Sequence, residues 1–205
     1  MIRTMNRVSS NDPGLADPPA GYSPAQKWLH WLTAAIILLA MIPAGLTMTR
    51  LGEGETTNRL YELHKSFGVI VFSLAVLRAA IRLARGAPRY EPNIPRWQRV
   101  AAAASHYALY GLIFLVPITG WIATSSCCAP VNLFWTIPVT LPVPDGEAFA
   151  RAVFRLHNAF VYTLMAIVAV HAAAALQHHF IRRDRTLLRM LPGGRGATER
   201  QPTPT

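Results

Sequence analysis

No Asp or Glu interrupts any of the four long apolar runs in this 205-residue sequence, and the whole chain holds only 10 acidic residues against 20 Lys and Arg. Cysteine is scarcer still. The two present, Cys127 and Cys128, are adjacent, and vicinal cysteines bridge only with strain, so no disulfide framework is implied. Charged residues make up 15% of the chain, too few to cover a soluble surface of this size. Residues 1–21 contain prolines and glycines but no apolar run, so they do not read as a signal peptide. With the Gly-, Pro- and Thr-rich residues 193–205 they are expected to be disordered tails. A net charge of +10 would suit nucleic acid. Here, however, the basic residues flank the apolar runs and form no stripe interleaved with aromatics. Anionic lipid head groups are therefore the expected partner, and nucleic acid is not.

What the chain does have is hydrophobic length: 52% of residues are hydrophobic and the mean hydropathy is +0.25. A hydrocarbon layer roughly 30 Å thick needs roughly 20 apolar helical residues. Four segments supply them, at about 28–48, 64–83, 102–125 and 156–180. The expected fold is an all-α transmembrane four-helix bundle over residues 22–192, with cofactors buried between the helices. The second connection and its flanks carry Arg78, Arg82, Arg85, Arg89, Arg96 and Arg99, and the last flank carries Arg182, Arg183, Arg185 and Arg189. By the positive-inside rule that end, with both termini, is cytoplasmic. The third connection, 127–155, is rich in proline and aromatics and is expected to lie on the outer surface as a loop capping what is buried beneath it.

All seven histidines fall in or at the ends of these spans: His30, His64, His106, His157, His171, His178 and His179. An ionisable side chain at membrane depth is costly and marks a functional site unless a neighbouring carbonyl satisfies it. His157 and His171 are 14 residues apart. That separation is roughly 21 Å and nearly four turns, so one helix presents two imidazoles on one stripe. Depth matching pairs His64 with His157 at the outer level and His30 with His171 at the inner level. Zinc or copper would need three or four converging ligands with thiolate or carboxylate among them, and the spans contain no acid. Two imidazoles on opposing helices suit an iron porphyrin. No Cys-x-x-Cys-His motif provides covalent attachment. Two non-covalent b haems are the expected cofactors, with His30, His64, His157 and His171 as iron ligands.

Arg78 lies inside the second span, where it either pairs with a haem propionate or snorkels to lipid phosphate; for Arg82 snorkelling is expected. Three roles stay open for His106: competing with His30 for His171, lining a quinone site, or bonding a propionate. His178 and His179 read as interfacial polar residues, one of them near a quinone.

Tyr22-Ser-Pro-Ala-Gln-Lys-Trp-Leu-His30-Trp, Leu63-His64-Lys-Ser-Phe-Gly68, Ser105-His106-Tyr-Ala-Leu-Tyr110, and above all His171-Ala-Ala-Ala-Ala-Leu-Gln-His178-His179 with Arg183-Asp-Arg-Thr-Leu-Leu-Arg-Met-Leu-Pro192 resemble the prokaryotic cytochrome b561 family from Tyr22 to Pro192. The resemblance implies a four-helix dihaem cytochrome of the bacterial inner membrane, its ligands falling on His30, His64, His157 and His171. It further implies ubiquinone as electron acceptor or donor. Some members resemble a superoxide oxidase, which passes an electron from superoxide to ubiquinone; others resemble the cytochrome subunits of nickel-iron hydrogenases. For the first, Lys65, Arg59, Arg151 and Arg155 would form a positive outer rim that steers the anion. For the second, the chain would be a haem-bearing anchor relaying electrons for a redox partner protein. The Cys127-Cys128 pair has no counterpart in the family pattern.

Overall fold

The computed structural model describes residues 21–88, 90, 94–127 and 131–193. Apart from Gly21 and Gly193 the two expected tails lie outside that set, as does Cys128. Among the described residues, four helices are long and apolar enough to cross a membrane: Pro24–Met48, Glu55–Arg85, Arg96–Ser125 and Glu147–Arg182. The first comprises α1 (Pro24–Ala35), a π-helical segment (Ile36–Met41) and α2 (Ile42–Met48). The others are α3 (Glu55–Arg85), α4 (Arg96–Ser125) and α5 (Glu147–Gln177), the last ending in a π-helical turn (His178–Arg182). The molecule is an all-α transmembrane bundle.

The helices begin earlier than the apolar runs at 64, 102 and 156. Hydropathy marks only the hydrocarbon layer, whereas helical propensity continues into the polar flanks. Glu55 and Glu147 stand in the first turns of α3 and α5, where negative charge complements the helix dipole. Each forms an ion pair one turn on, with Arg59 and Arg151 respectively. Helix α1 starts on a reciprocal cap: the Gln26 N–H donates to Ser23 Oγ at 3.3 Å and the Ser23 N–H donates to Gln26 Oε1 at 2.9 Å, with Pro24 at the first helical position.

The first span is not a uniform α-helix. The Ile42 N–H reaches back to the Ile37 carbonyl, a π-type bond, and Pro43 in the next turn brings no N–H of its own. One inserted residue rotates everything beyond it by roughly 100°. The rotation leaves Gly45 facing α3, where a Cβ would stand 3.8 Å from His64 Cε1.

Long-range hydrogen bonds define the two ends. At one, Gln26 Nε2 donates to the Gly86 carbonyl at 3.3 Å and Trp31 Nε1 to the Met190 carbonyl at 2.9 Å. These join the start of α1, the end of α3 and the segment after α5. At the other end, the third connection forms a small antiparallel hairpin in place of the expected loop. Its strands are β1 (Val131–Leu133) and β2 (Ile137–Val139), with Val131 opposite Val139 and Leu133 opposite Ile137. Phe134 and Trp135 make its turn at φ 46° and 63°. The hairpin is strapped to the bundle by the Phe134 N–H donating to Ser66 Oγ at 2.9 Å and by Trp121 Nε1 donating to the Val139 carbonyl at 2.8 Å.

Between the ends, Ala75, Leu112, Ile113 and Leu164 form the buried core, with Phe114, Phe160 and Val168 packed against it. Leu164 is seven residues from both His157 and His171, so the core lies midway between two histidine levels, roughly 10 Å from each. Large apolar side chains such as Leu39 and Leu83 point outward, 78% and 86% exposed. That disposition suits lipid as the surrounding solvent.

Candidate functional site

The level expected to be outer is built from three helices. His64 of α3 and His157 of α5 face each other with ring centroids 6.5 Å apart and planes at 78°. A ligating imidazole nitrogen stands roughly 2 Å from its metal, so two rings on opposite sides of one iron have centroids roughly 6 Å apart. Thus the observed spacing fits a bis-imidazole site. His157 Nδ1 lies 2.9 Å from the Val116 carbonyl of α4. A carbonyl only accepts, so Nδ1 carries the proton and the Nε2 lone pair is left free, the arrangement by which an outer partner orients a ligating histidine. Gly120 permits this approach, since a Cβ there would stand 3.0 Å from His157 Cε1. A cavity of about 660 Å³ includes both rings in its lining, with Met41, Gly68, Phe72 and Leu164 among its apolar walls. Its size and apolar lining suit a large flat ligand.

The level expected to be inner brings together four of the expected residues, His30, His106, His171 and Arg78, and adds Tyr110. His30 of α1 and His171 of α5 have ring centroids 6.4 Å apart with planes at 61°. His106 of α4 comes closer to His171, at 5.4 Å, which is shorter than two trans ligands of one iron require. Arg78 Nη2 lies 3.3 Å from His30 Nδ1, and its guanidinium sits 5.7 Å above the Tyr110 ring. A guanidinium can only donate and can engage a carboxylate with two parallel bonds. Among the described residues, no group of three or more His, Cys, Asp or Glu side chains is arranged to hold a bare metal ion.

Sequence reasoning did not foresee Asp184. It accepts from His178, Nδ1 to Oδ2 at 2.5 Å, and from the Thr186 N–H at 2.9 Å, just beyond the membrane-length helix. Burial by itself would raise the Asp184 pKa, but the hydrogen bonds from His178 and Thr186 outweigh it and hold the carboxyl below its usual value. The signal for Asp184 lay in its position six residues after His178, but a chain reversal there needs a non-glycine residue at positive φ, and Arg183 supplies it at 54°. His179 packs edge-on against Phe180. The expected positive outer rim is largely neutralised. Lys65 pairs with Glu62 at 2.5 Å, Arg151 with Glu147 at 2.8 Å, and Arg59 with Glu55.

Comparison with known proteins gives one answer over nearly the whole chain. The profile described as prokaryotic cytochrome b561 matches residues 21–193. Cytochrome b561 homolog 2 of Escherichia coli (strain K12) is 33% identical over 174 residues, 84% of this chain and 92% of that protein. Cytochrome b561 homolog 1 of the same organism is 30% identical over 173 residues, 83% and 97% of the two chains. The probable superoxide oxidase CybB of Yersinia pestis is 27% identical over 179 residues, 85% and 98% of the two chains.

Proposed function

The chain belongs to the prokaryotic cytochrome b561 family of haem-binding membrane electron-transfer proteins, and from that premise we propose that it is a dihaem cytochrome carrying electrons across the bacterial inner membrane between an outer donor and ubiquinone. The observation that carries the reading is the repetition of one motif. Two opposed imidazole pairs, at 6.5 and 6.4 Å, share α5 at levels 14 residues apart. His64 and His157 would hold the outer haem b, and His30 and His171 the inner one. Bound haem supplies a one-electron iron couple.

The chain's own residues have distinct tasks in this reading. The Val116 carbonyl fixes the ring of His157. Apolar walls around the outer pair exclude water and lower the local dielectric. Arg78 offers a buried cation to a propionate, and His106 stands beside His171 as a polar neighbour. The arginine-rich end, with both termini, faces the cytoplasm. Superoxide as donor draws support from the name of the Yersinia pestis relative. The paired outer cations leave little net field to steer an anion, so its reaction should depend only weakly on salt.

Haem quantification and a reduced-minus-oxidised spectrum of the purified full chain test this. Two haems per chain are expected, with one lost in His64→Ala and one in His171→Ala. A haem-free chain would sink the proposal. Loss in His106→Ala but not in His30→Ala would move the inner pair to His106.

A further inference from the structure

Residues seven apart on a helix lie almost on one line, just short of two turns. On α3 one such line runs through Ser66, Ser73 and Ala80. Ser73 and Ala80 are exposed, as a lipid-facing stripe should be, yet Ser66 has no exposed surface. The hairpin covers it. The Phe134 N–H donates to Ser66 Oγ, and the Phe134 ring meets Phe67 edge-on at 5.9 Å. The hairpin therefore lies against the lipid-facing flank of the bundle and does not merely close its end. Ser66 follows Lys65, the last charged residue before Arg78, so the contact stands at the border of the hydrocarbon layer.

The chemistry of the segment agrees with that location. No Asp, Glu, Lys or Arg occurs between Arg99 and Asp145. Residues 134–138 are all exposed, with Trp135 at 54% and Ile137 at 57%. Backbone donors are met inside the protein, as a surrounding without water requires. The Trp135 and Thr136 N–H groups return to the Asn132 and Leu133 carbonyls at 3.1 Å, and the Leu141 N–H reaches Ser125 Oγ at 3.2 Å. Pro138, in the middle of β2, has no N–H to leave open at the strand edge. The turn is strained, since Phe134 and Trp135 hold positive φ where a water-facing hairpin would use Asn or Gly. Phe134 gains Phe67 in return, while Trp135 keeps more than half of its surface for a partner outside the chain. An indole is well placed at a bilayer border, its ring among acyl chains and its N–H among head groups.

We infer that the β1–β2 hairpin is a membrane-embedded element additional to the four spans, a shallow wedge whose face from Phe134 to Pro138 is seated among the lipids of the leaflet at that end of the bundle. The occupant is lipid and not a soluble redox protein, because a face that docks one would carry complementary charge, and this face carries none. Val131, at the far end of β1 from the turn, is 2% exposed and lines the cavity between His64 and His157. One strand thus joins the lipid border to the wall of that cavity.

The test places nitroxide labels at Trp135→Cys and, separately, Ile137→Cys in the full chain, with Cys127→Ser and Cys128→Ser removing the native thiols, reconstituted in phospholipid bilayers. Collision with oxygen, which concentrates in lipid, is compared with collision with a water-soluble nickel chelate. Ser73→Cys on the exposed stripe is the lipid reference and Glu53→Cys before α3 the aqueous one. The oxygen-to-nickel ratio at both hairpin positions should exceed the Glu53 value several-fold and approach the Ser73 value. A ratio equal to that of Glu53 would overturn the inference and leave the hairpin in water. Low collision with both reagents would also overturn it, since a second copy or another protein would then cover the face. The unsubstituted chain gives an independent check that no failure to fold can spoil. A carbene-generating probe confined to the bilayer should label residues 134–138, read by mass spectrometry, and labelling restricted to the four spans would overturn the inference.

Discussion

At the scale of single residues, Gly120 and Asp184 carry the most specific consequences. Gly120 is required by close approach: nothing larger fits within 3.0 Å of the His157 ring without moving it. Gly120→Ala should therefore displace the imidazole from the Val116 carbonyl and, on the proposed dihaem reading, lower retention of the haem at His157 while sparing the one at His171. Haem stoichiometry per chain, measured after washing in detergent, is the check. Asp184 gives a pH dependence whose sign can be worked out. Its folded pKa is lowered despite burial, by the bonds from His178 and Thr186. Its stabilisation of the turn is therefore present above the unfolded carboxylate value of about 4 and is lost as pH falls through the lower folded value. Hydrogen exchange at the Thr186 amide, corrected for its intrinsic rate, should show constant protection from neutral pH down to about 5 and loss below about 4. In Asp184→Asn protection should be reduced at every pH.

At the scale of elements, the hairpin depends on Ser66, which is fully buried and takes the Phe134 N–H. Ser66→Ala leaves that donor without a partner, at a cost of about 1–3 kcal/mol. The melting temperature should fall accordingly, and on the proposed dihaem reading the haem at His64, two residues away, should be lost earlier in the melt than the one at His171. This scale also separates what the sequence made legible from what it did not. Four spans were readable because each apolar run outlasts the hydrocarbon layer, and the two histidine levels because helix rise and period convert residue spacing into depth. The helix ends were not, since Glu55 to Leu63 or Arg96 to Ala101 continue as helix outside the layer that hydropathy senses. Nor was the π segment. Pro43 announces a missing donor, but which upstream carbonyls it displaces depends on packing against α3. The hairpin stayed hidden because its turn uses Phe134 and Trp135 at positive φ, where the sequence signal would have been Asn or Gly.

For the whole molecule, the arginine asymmetry and the hydrogen bonds from Gln26 and Trp31 place the start of α1 and the segment after α5 at one end. A fluorescent reporter fused to the C-terminus should be bright in cells, while an alkaline phosphatase fused there should be inactive; the opposite pattern would invert the topology. The two levels should also behave independently. His64→Ala and His157→Ala should empty the same haem position, so that the double variant resembles either single one, as sites served by one shared cofactor must.

The core of Ala75, Leu112, Ile113 and Leu164, midway between the histidine levels, has an electrical meaning. None of its four members carries an acid, hydroxyl or imidazole, so none of them can relay a proton. Electrons exchanged between the levels would cross it uncompensated, and turnover would be electrogenic. Each charge that traverses the whole layer would work with or against the membrane voltage by about 2.3 kcal/mol per 100 mV. The bundle would then act as an insulated conductor whose rate the cell's own membrane potential regulates.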